Sequence, residues 1–212
     1  MDKFVKYLKD CTHDYKPPSA DTDLHGWMDD NILKIFEMTD IKFMVEVGSW
    51  KGLSAVTFGK KLKETGGTLL CIDTWLGAPE FWTEKGLVDP TRGLSLKQNY
   101  GYPMVYYTFL SNVKNTGLGD TIVPFPISSD QGAHVLEHYK CQADAIYIDA
   151  AHEQGAVYKD IETYWKFVRP GGVLFGDDFS IHWPGVKHDV AKFAKDTGRQ
   201  YTTHGKVWFI TK

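Results

Sequence analysis

The chain has 212 residues, of which 42% are hydrophobic and 24% are charged. This composition fits one soluble globular domain and excludes a disordered, fibrous or coiled-coil chain. The formal net charge of −3 leaves no basic excess to neutralise phosphates, which argues against a nucleic-acid-binding protein.

The three cysteines are widely spaced and form no CxxC pair, so the sequence indicates neither a disulfide framework nor a structural zinc site. This cysteine usage fits a reducing compartment. The first ten residues lack the apolar core of a signal peptide, and no apolar run reaches the length of a membrane span. We therefore expect a soluble, cytoplasmic protein that has neither nucleic acid nor a membrane as its partner.

The first forty residues carry helical patterns separated by a loop. Residues 1–10 are predicted to form a short amphipathic helix, residues 11–23 a loop, and residues 24–39 a second helix. We expect residues 1–40 to form an N-terminal helical segment or lid that precedes a larger domain at residues 41–212.

From Lys42 onward, predicted strands alternate with predicted helices. The strands are Lys42–Val47, Thr68–Asp73, Thr121–Phe125, Ala143–Asp149, Gly172–Gly176 and a closing pair, Tyr201–Thr203 and Lys206–Thr211. The helices are Gly52–Glu64, Glu153–Val168 and Pro184–Thr197. This alternation predicts an α/β fold with a doubly wound, mostly parallel sheet and helices on both faces. Such sheets bind ligands at the carboxyl ends of their strands.

Residues 74–107 are rich in aromatic side chains and too long for a simple connection. We predict that this stretch is a cap or substrate-binding loop. The alternative is that its aromatic side chains pack a helix onto the sheet.

A glycine turn follows the first predicted strand, where Gly48 and Gly52 flank Ser49-Trp50-Lys51. Glycines allow the backbone to approach a ligand, and the following helix offers free amides. The spacing matches neither GxGxxG nor a P-loop. Asp73 ends the next strand, where a carboxylate can accept both hydroxyls of a ribose. The pattern favours an adenosine-containing cofactor over the alternative, an ordinary turn with a capping acid.

Acidic side chains end the fourth and fifth predicted strands. Asp149 follows one strand, while Asp177 and Asp178 follow the next. Three carboxylates at one edge repel each other unless a cation joins them, and oxygen ligands suit Mg²⁺, Mn²⁺ or Ca²⁺ better than zinc. His152 lies three residues after Asp149 and is a candidate general base. Taken singly, each of these groups would more often be a helix cap or a solvated charge.

Three segments together resemble a class I S-adenosylmethionine-dependent methyltransferase: VEVGSWKGLS, the acid in CIDTW, and the run from IYIDAAHEQG to GVLFGDD. The resemblance extends from Ile41 to Lys212. It is strongest to metal-dependent small-molecule O-methyltransferases that act on sugar hydroxyls of macrolides, and weaker to the catechol type. It implies a Rossmann-like, seven-stranded, mostly parallel sheet with an antiparallel last strand.

The resemblance also implies roles for individual residues. S-adenosylmethionine would be bound by Glu46, Gly48, Ser49, Trp50, Gly52, Ser54, Asp73, Thr74, Ser128, Ser129, Asp130 and Asp149. Mg²⁺, or alternatively Mn²⁺, would be held by Asp149, Asp177 and Asp178, with His152 as the base. The catechol type has Lys at the position of His152, so this His favours a sugar substrate. Candidate substrate contacts are Trp75, Trp82, His182 and Trp183.

The sequence thus predicts a metal-assisted O-methyltransferase acting on a hydroxyl of a sugar or glycan. A catechol-type or other small-molecule O-methyltransferase is the nearest alternative. A nicotinamide-dependent dehydrogenase would require GxGxxG, a metal hydrolase leaves the glycine turn unexplained, and a binding module gives no reason for a base. Whether the chain forms homo-oligomers or is part of a longer polypeptide stays open.

Overall fold

A computed structural model describes residues 1–82 and 96–212 of the chain. Its strands are β1 (Phe43–Val47), β2 (Thr68–Asp73), β3 (Ile122–Pro126), β4 (Ala143–Ile148), β5 (Val168–Gly176), β6 (Thr202–His204) and β7 (Val207–Thr211). Its α-helices are α1 (Asp2–Thr12), α2 (Ile35–Met38), α3 (Leu53–Thr65), α4 (Val105–Asn115), α5 (Ser129–His138), α6 (Ala156–Trp165) and α7 (Pro184–Thr197). Short 3₁₀ turns cover Asp30–Lys34 and Pro79–Phe81.

The strands form one sheet in the order β3-β2-β1-β4-β5-β7-β6. Strands β1 to β5 pair in parallel, and β7 runs antiparallel to both of its neighbours. The chain order reverses between β1 and β4, so the carboxyl ends of these two strands form the switch point at which such sheets bind ligands. The predicted mostly parallel, seven-stranded sheet with an antiparallel last strand is confirmed.

Both faces of the sheet are covered, which is why the central strands read as continuous apolar runs. Val45 and Val47 of β1 point to one core, which the helices α5, α6 and α7 cover. Met44 points to the opposite core, which is covered by α3 and α4. The two layers fix the strand ends at which the candidate site residues lie.

The outer edge of β3 is closed by its own sequence and by α1. Pro124 and Pro126 have no backbone N–H, and the N–H of Ile122 is already bonded to the carbonyl of Leu118 at 2.9 Å. Phe4 of α1 packs edge-on against Phe125 of this strand at 5.0 Å. Helix α1 therefore packs against β3 at this border of the sheet.

Several predicted elements differ from the structure. Residues 24–39, predicted as one helix, contain only the 3₁₀ turn and α2, because Asp29 caps the turn by accepting the N–H of Asn31 and its own N–H binds Asp177. The helix predicted from Glu153 begins at Ala156, and Val168 already opens β5. Helices α4 and α5 were not predicted.

The predicted cap at 74–107 is described in part. Residues 83–95 lie outside the described residues, and α4 occupies the end of the range from Val105. Among the described residues, no helix is both long and apolar enough to cross a membrane.

Candidate active site

The glycine turn connects β1 to α3 at the switch point. Gly48 has a φ of +86° and Gly52 one of +90°, conformations that favour glycine. A Cβ atom on Gly48 would also overlap the carbonyl of Asp149, at the end of β4. The turn therefore needs glycine for both its backbone conformation and its contact with the neighbouring strand end.

A buried carboxylate holds the turn from within the sheet. Glu46 accepts hydrogen bonds from the hydroxyls of Ser49 (2.5 Å) and Ser54 (2.6 Å) and from the thiol of Cys71 (3.3 Å). Burial raises the pKa of Glu46 to about 7, because these three hydrogen bonds only partly offset the loss of water and the nearby charge of Asp149 opposes ionisation. Glu46 thus fixes both the turn and the start of α3.

Asp73 stands at the end of β2 beside the same turn. One carboxylate oxygen accepts the backbone N–H groups of Ser49 and Trp50, both at 2.8 Å, and the other accepts that of Trp75 at 2.7 Å. A carboxylate has about four acceptor positions, so about one stays available to a ligand hydroxyl. The indole N–H of Trp75 donates to the carbonyl of Trp50 at 2.7 Å.

Trp75 itself, predicted as a substrate contact, is 1% exposed. Its ring packs against Tyr106 and Phe109 at 5.0 and 4.9 Å. Its indole N–H is satisfied by the turn, so the side chain is stable inside the core and presents no face for stacking on a sugar. The structure assigns it to shaping the glycine turn.

A second cluster lies at the ends of β4 and β5. Nε2 of His152 is 2.9 Å from Oδ2 of Asp178 and 3.4 Å from Oδ1 of Asp149. One ligand atom from each of these three residues lies within 4.8 Å of the others. Nε2 is buried, and within residues 1–82 and 96–212 no group meets it in hydrogen-bonding geometry. Tyr147 donates its hydroxyl to Oδ2 of Asp149 at 3.1 Å.

Two neighbouring carboxylates determine the protonation of His152. Burial acts to lower its pKa, but Asp149 and Asp178 outweigh burial and raise the pKa to about 10. With these carboxylates uncompensated, the imidazole is therefore protonated at neutral pH. A cation shared by the two carboxylates would neutralise them and so remove the increase in the pKa of His152.

Asp177 was predicted to share an ion with these acids, but its carboxylate faces elsewhere. Oδ2 accepts the backbone N–H of Asp29 at 2.8 Å, and Oδ1 accepts that of Asp178 at 2.7 Å. Burial raises the pKa of Asp177 to about 6, and the charges of Asp149 and Asp178 act in the same direction. The cluster therefore consists of Asp149, Asp178 and His152, whereas three acids were predicted, because the backbone of Asp29 binds the carboxylate of Asp177.

The aromatic candidates differ in their surroundings. Trp183 is 40% exposed, and its ring lies 4.5 Å from that of His152. Trp82 is half-exposed and donates its indole N–H to the carbonyl of Leu76 at 2.8 Å. His182 is exposed next to Trp183. Trp183 is thus the candidate that the structure brings to the cluster.

The remaining cofactor candidates lie at strand ends on the same edge. Ser128, the N-cap of α5, bonds to Asp130 in the first turn of that helix at 2.6 Å, and Ser129 bonds to Asp160 at 3.0 Å. Thr74 is exposed and its hydroxyl accepts the N–H of Leu76 at 3.2 Å. Trp50 stacks on Phe81 with 5.0 Å between ring centroids.

Sequence reasoning did not identify the ion pair that holds the glycine turn from the other side. Lys51 is buried and binds the carboxylate of Asp23 at 2.8 Å, and Lys97 binds the same carboxylate at 2.9 Å. Asn112 donates to the carbonyls of both Asp23 and Lys51. Together with Asp29, these contacts fix residues 23–29 across the carboxyl edge of the sheet.

The structure has the parallel sheet, the glycine turn after β1 and the acid at the end of β2 that the resemblance to class I methyltransferases implied. The chain matches a family described as "Methyltransferase domain" over residues 45–179 and belongs to that family. The protein is therefore a methyltransferase. A viral relative, uncharacterized protein R132 of Acanthamoeba polyphaga mimivirus, is 26% identical over 178 residues, which are 82% of this chain and 68% of that protein.

Solved structures with the same fold include an O-methyltransferase from Bacillus cereus in complex with SAH. It has a TM-score of 0.58 and 17% identity, and the match covers 100% of this chain and 92% of that chain. CalS11, a TDP-rhamnose 3′-O-methyltransferase of calicheamicin biosynthesis, has a TM-score of 0.52 and 11% identity over 99% and 93%. These likenesses confirm the Rossmann-like fold that the resemblance predicted.

Proposed function

We propose that this protein is an S-adenosylmethionine-dependent O-methyltransferase that methylates a hydroxyl of a sugar or glycan with the help of a divalent cation. The observation that carries the proposal is the convergence of Asp149, His152 and Asp178 within 4.8 Å, beside the glycine turn. Two carboxylates and a base beside the glycine turn suit a reaction in which a hydroxyl is deprotonated and its oxygen receives a methyl group.

The cofactor half of the proposal rests on the turn and on Asp73. Gly48 and Gly52 keep the backbone free of side chains, and Asp73 retains an acceptor position for a ribose hydroxyl. The SAH complex of the Bacillus cereus enzyme, which shares the fold, supports this cofactor. Glu46 supports the turn from behind and does not reach the surface.

The donor set suits a hard divalent cation such as Mg²⁺ or Mn²⁺. Asp149 and Asp178 direct carboxylate oxygens towards a buried nitrogen that lacks a hydrogen-bonded partner within the described part of the chain. Asp177 could join them only after its bond to the N–H of Asp29 opens. When bound, the cation would lower the pKa of the acceptor hydroxyl.

His152 then receives the proton of the acceptor hydroxyl at Nε2. Bound S-adenosylmethionine would supply the methyl group to the acceptor oxygen in line, with an O–C bond formed as the C–S bond breaks and S-adenosylhomocysteine as the product. Positioning supplies most of the acceleration in such a transfer. The residues that provide it here are Asp149 and Asp178, which flank the imidazole at 3.4 and 2.9 Å.

Two observations support a sugar acceptor. Trp183 presents a partly exposed ring beside His152, and aromatic faces suit the C–H surfaces of sugars. CalS11, which has the same fold, is a TDP-rhamnose 3′-O-methyltransferase. A catechol-type acceptor is the alternative. It is less favoured because the resemblance implies a Lys in catechol-type enzymes at the position where this chain has His152.

Calorimetry with S-adenosylhomocysteine tests the cofactor, and failure to bind would remove the proposal. A transfer screen over nucleotide sugars, deoxysugars and glycans, with a catechol as comparison, tests the acceptor. Methylation of the catechol alone would select the alternative.

Variants test the metal and the base. We expect Asp149→Ala to abolish EDTA-sensitive turnover and to leave S-adenosylhomocysteine binding, whereas Asp120→Ala, at an exposed acid before β3, leaves both. We expect His152→Ala to lower kcat about 100-fold or more with little change in KM. Full activity of either site variant would contradict the assigned roles.

A further inference from the structure

A buried carboxylate on α7 binds the loop that carries His152, and the proposed chemistry does not use it. Asp189 is 1% exposed. Its Oδ2 atom accepts the backbone N–H groups of Gly155 at 2.6 Å and Tyr158 at 3.0 Å. Its Oδ1 atom accepts a hydrogen bond from Nδ1 of His188 at 2.9 Å.

Asp189 provides a helix cap that α6 does not make itself. The residue before α6 is Gly155, which has a φ of +90° and no side chain to bind the first amides of the helix. Unpaired amides at a helix N-terminus require an acceptor, and a negative charge there is favourable. Because the acceptor comes from α7, the downstream end of the loop 149–155 is tied to a second helix.

Two more contacts from α7 and its N-cap reach the same loop. A Cβ atom on Gly185 would lie 2.5 Å from the carbonyl oxygen of His152 and 2.6 Å from the N atom of Gln154, so the helix backbone is in direct contact with the loop. The ring of Trp183 lies 4.5 Å from that of His152. The upstream end is held by β1, since the N–H of Asp149 donates to the carbonyl of Val47 at 2.9 Å.

We propose that Asp189 is a positioning residue for His152. By binding the amides of Gly155 and Tyr158, it holds the loop against Gly185 so that Nε2 of His152 stays between Asp149 and Asp178. This inference rests on the proposed function, because it assigns Asp189 to the geometry of the proposed base. A misplacement of about 1 Å in a reacting group costs roughly 100-fold in rate.

The chain offers a matched control for a purely structural role. Asp144 also accepts two backbone N–H groups, from Lys42 at 2.7 Å and Phe43 at 2.8 Å, and forms an ion pair with Arg169. It lies at the opposite edge of the sheet, where β1 begins. Loss of either carboxylate should therefore lower the thermal stability, but only loss of Asp189 should disturb His152.

The experiment compares Asp189→Ala, Asp189→Asn and Asp144→Ala in the full chain. The imidazole signal of His152, assigned with His152→Gln, is followed by NMR in the absence of substrate, and kcat, KM and S-adenosylhomocysteine affinity are measured. We expect Asp189→Ala to move the His152 signal and to lower kcat about 100-fold with unchanged cofactor affinity. Asp189→Asn retains an acceptor oxygen and should restore both, and Asp144→Ala should change only the melting temperature.

The proposal is overturned if Asp189→Ala leaves the His152 signal and kcat as they are in Asp144→Ala. If Asp189→Ala does not fold, Asp189→Ser decides, since its shorter side chain cannot bind the amides of both Gly155 and Tyr158. An unmoved His152 signal in that variant overturns the proposal. Failure of the proposed function is seen separately, because the wild-type chain would then bind no S-adenosylhomocysteine and transfer no methyl group.

Discussion

The buried carboxylate of Glu46 should make the stability of the protein fall as the pH rises. Its pKa increases from 4.5 to about 7 because burial disfavours the charged form. The folded protein therefore holds this proton up to about pH 7, whereas the unfolded chain releases it near pH 4.5. The contribution of Glu46 to the free energy of unfolding is therefore fully present below pH 4.5 and is lost as the pH rises through 7. At ~1.4 kcal/mol for each pKa unit, the loss is about 3 kcal/mol.

Glu46→Gln removes the titrating proton and keeps the size of the side chain. We expect the free energy of unfolding of the variant, relative to wild type, to increase by about 3 kcal/mol between pH 4.5 and pH 8. Urea unfolding at a series of pH values, with EDTA and without cofactor, measures this difference. Glu64→Gln, at the exposed end of α3, is the control. Parallel stability curves for wild type and Glu46→Gln would refute the reasoning.

Two further predictions concern the turn and the aromatic face. Gly48→Ala should weaken S-adenosylhomocysteine binding at least tenfold in calorimetry, because the added methyl group meets the carbonyl of Asp149. The control is Gly66→Ala, which also has a left-handed backbone but has open space around it and should not weaken binding. Equal effects of the two variants would contradict the steric argument. Trp183→Ala should raise the KM for a sugar acceptor by about 3- to 10-fold while Trp183→Phe restores it, as one stacking contact is worth ~0.5–1.5 kcal/mol. An unchanged KM would assign Trp183 to packing alone.

The sequence predicted the elements whose boundaries are set locally. Thr68–Asp73 is an apolar run that ends at an acid, and Pro184–Thr197 begins with Pro and is followed by Gly198, so both ranges match the structure. Helix α4 was missed because its first turn lies in the predicted cap, which ended at residue 107, and no element was assigned to the rest of the helix. The helix predicted at 24–39 failed because contacts from distant strands fix that segment.

In the candidate site, too, local spacing could be read from the sequence, whereas contacts between distant residues could not. Asp149 and His152 are three residues apart after one strand, and in the structure Nε2 of His152 lies 3.4 Å from Oδ1 of Asp149. The orientation of Asp177 depends on the N–H of Asp29, 148 residues earlier in the chain. Asp23 acts through the side chains of Lys51 and Lys97, and Asp189 acts through the backbone N–H groups of Gly155 and Tyr158. A single sequence carries no signal for such contacts.

The proline-rich outer strand has a consequence for association between copies of the chain. Another strand can extend a sheet only where backbone donors are free, and the outward N–H positions of the described residues 122–126 are either proline or already bonded. Sheet-to-sheet growth, the first step towards fibrils, is therefore blocked at β3. Among the strands of the described residues, the border left for pairing between copies is the opposite one, at β6.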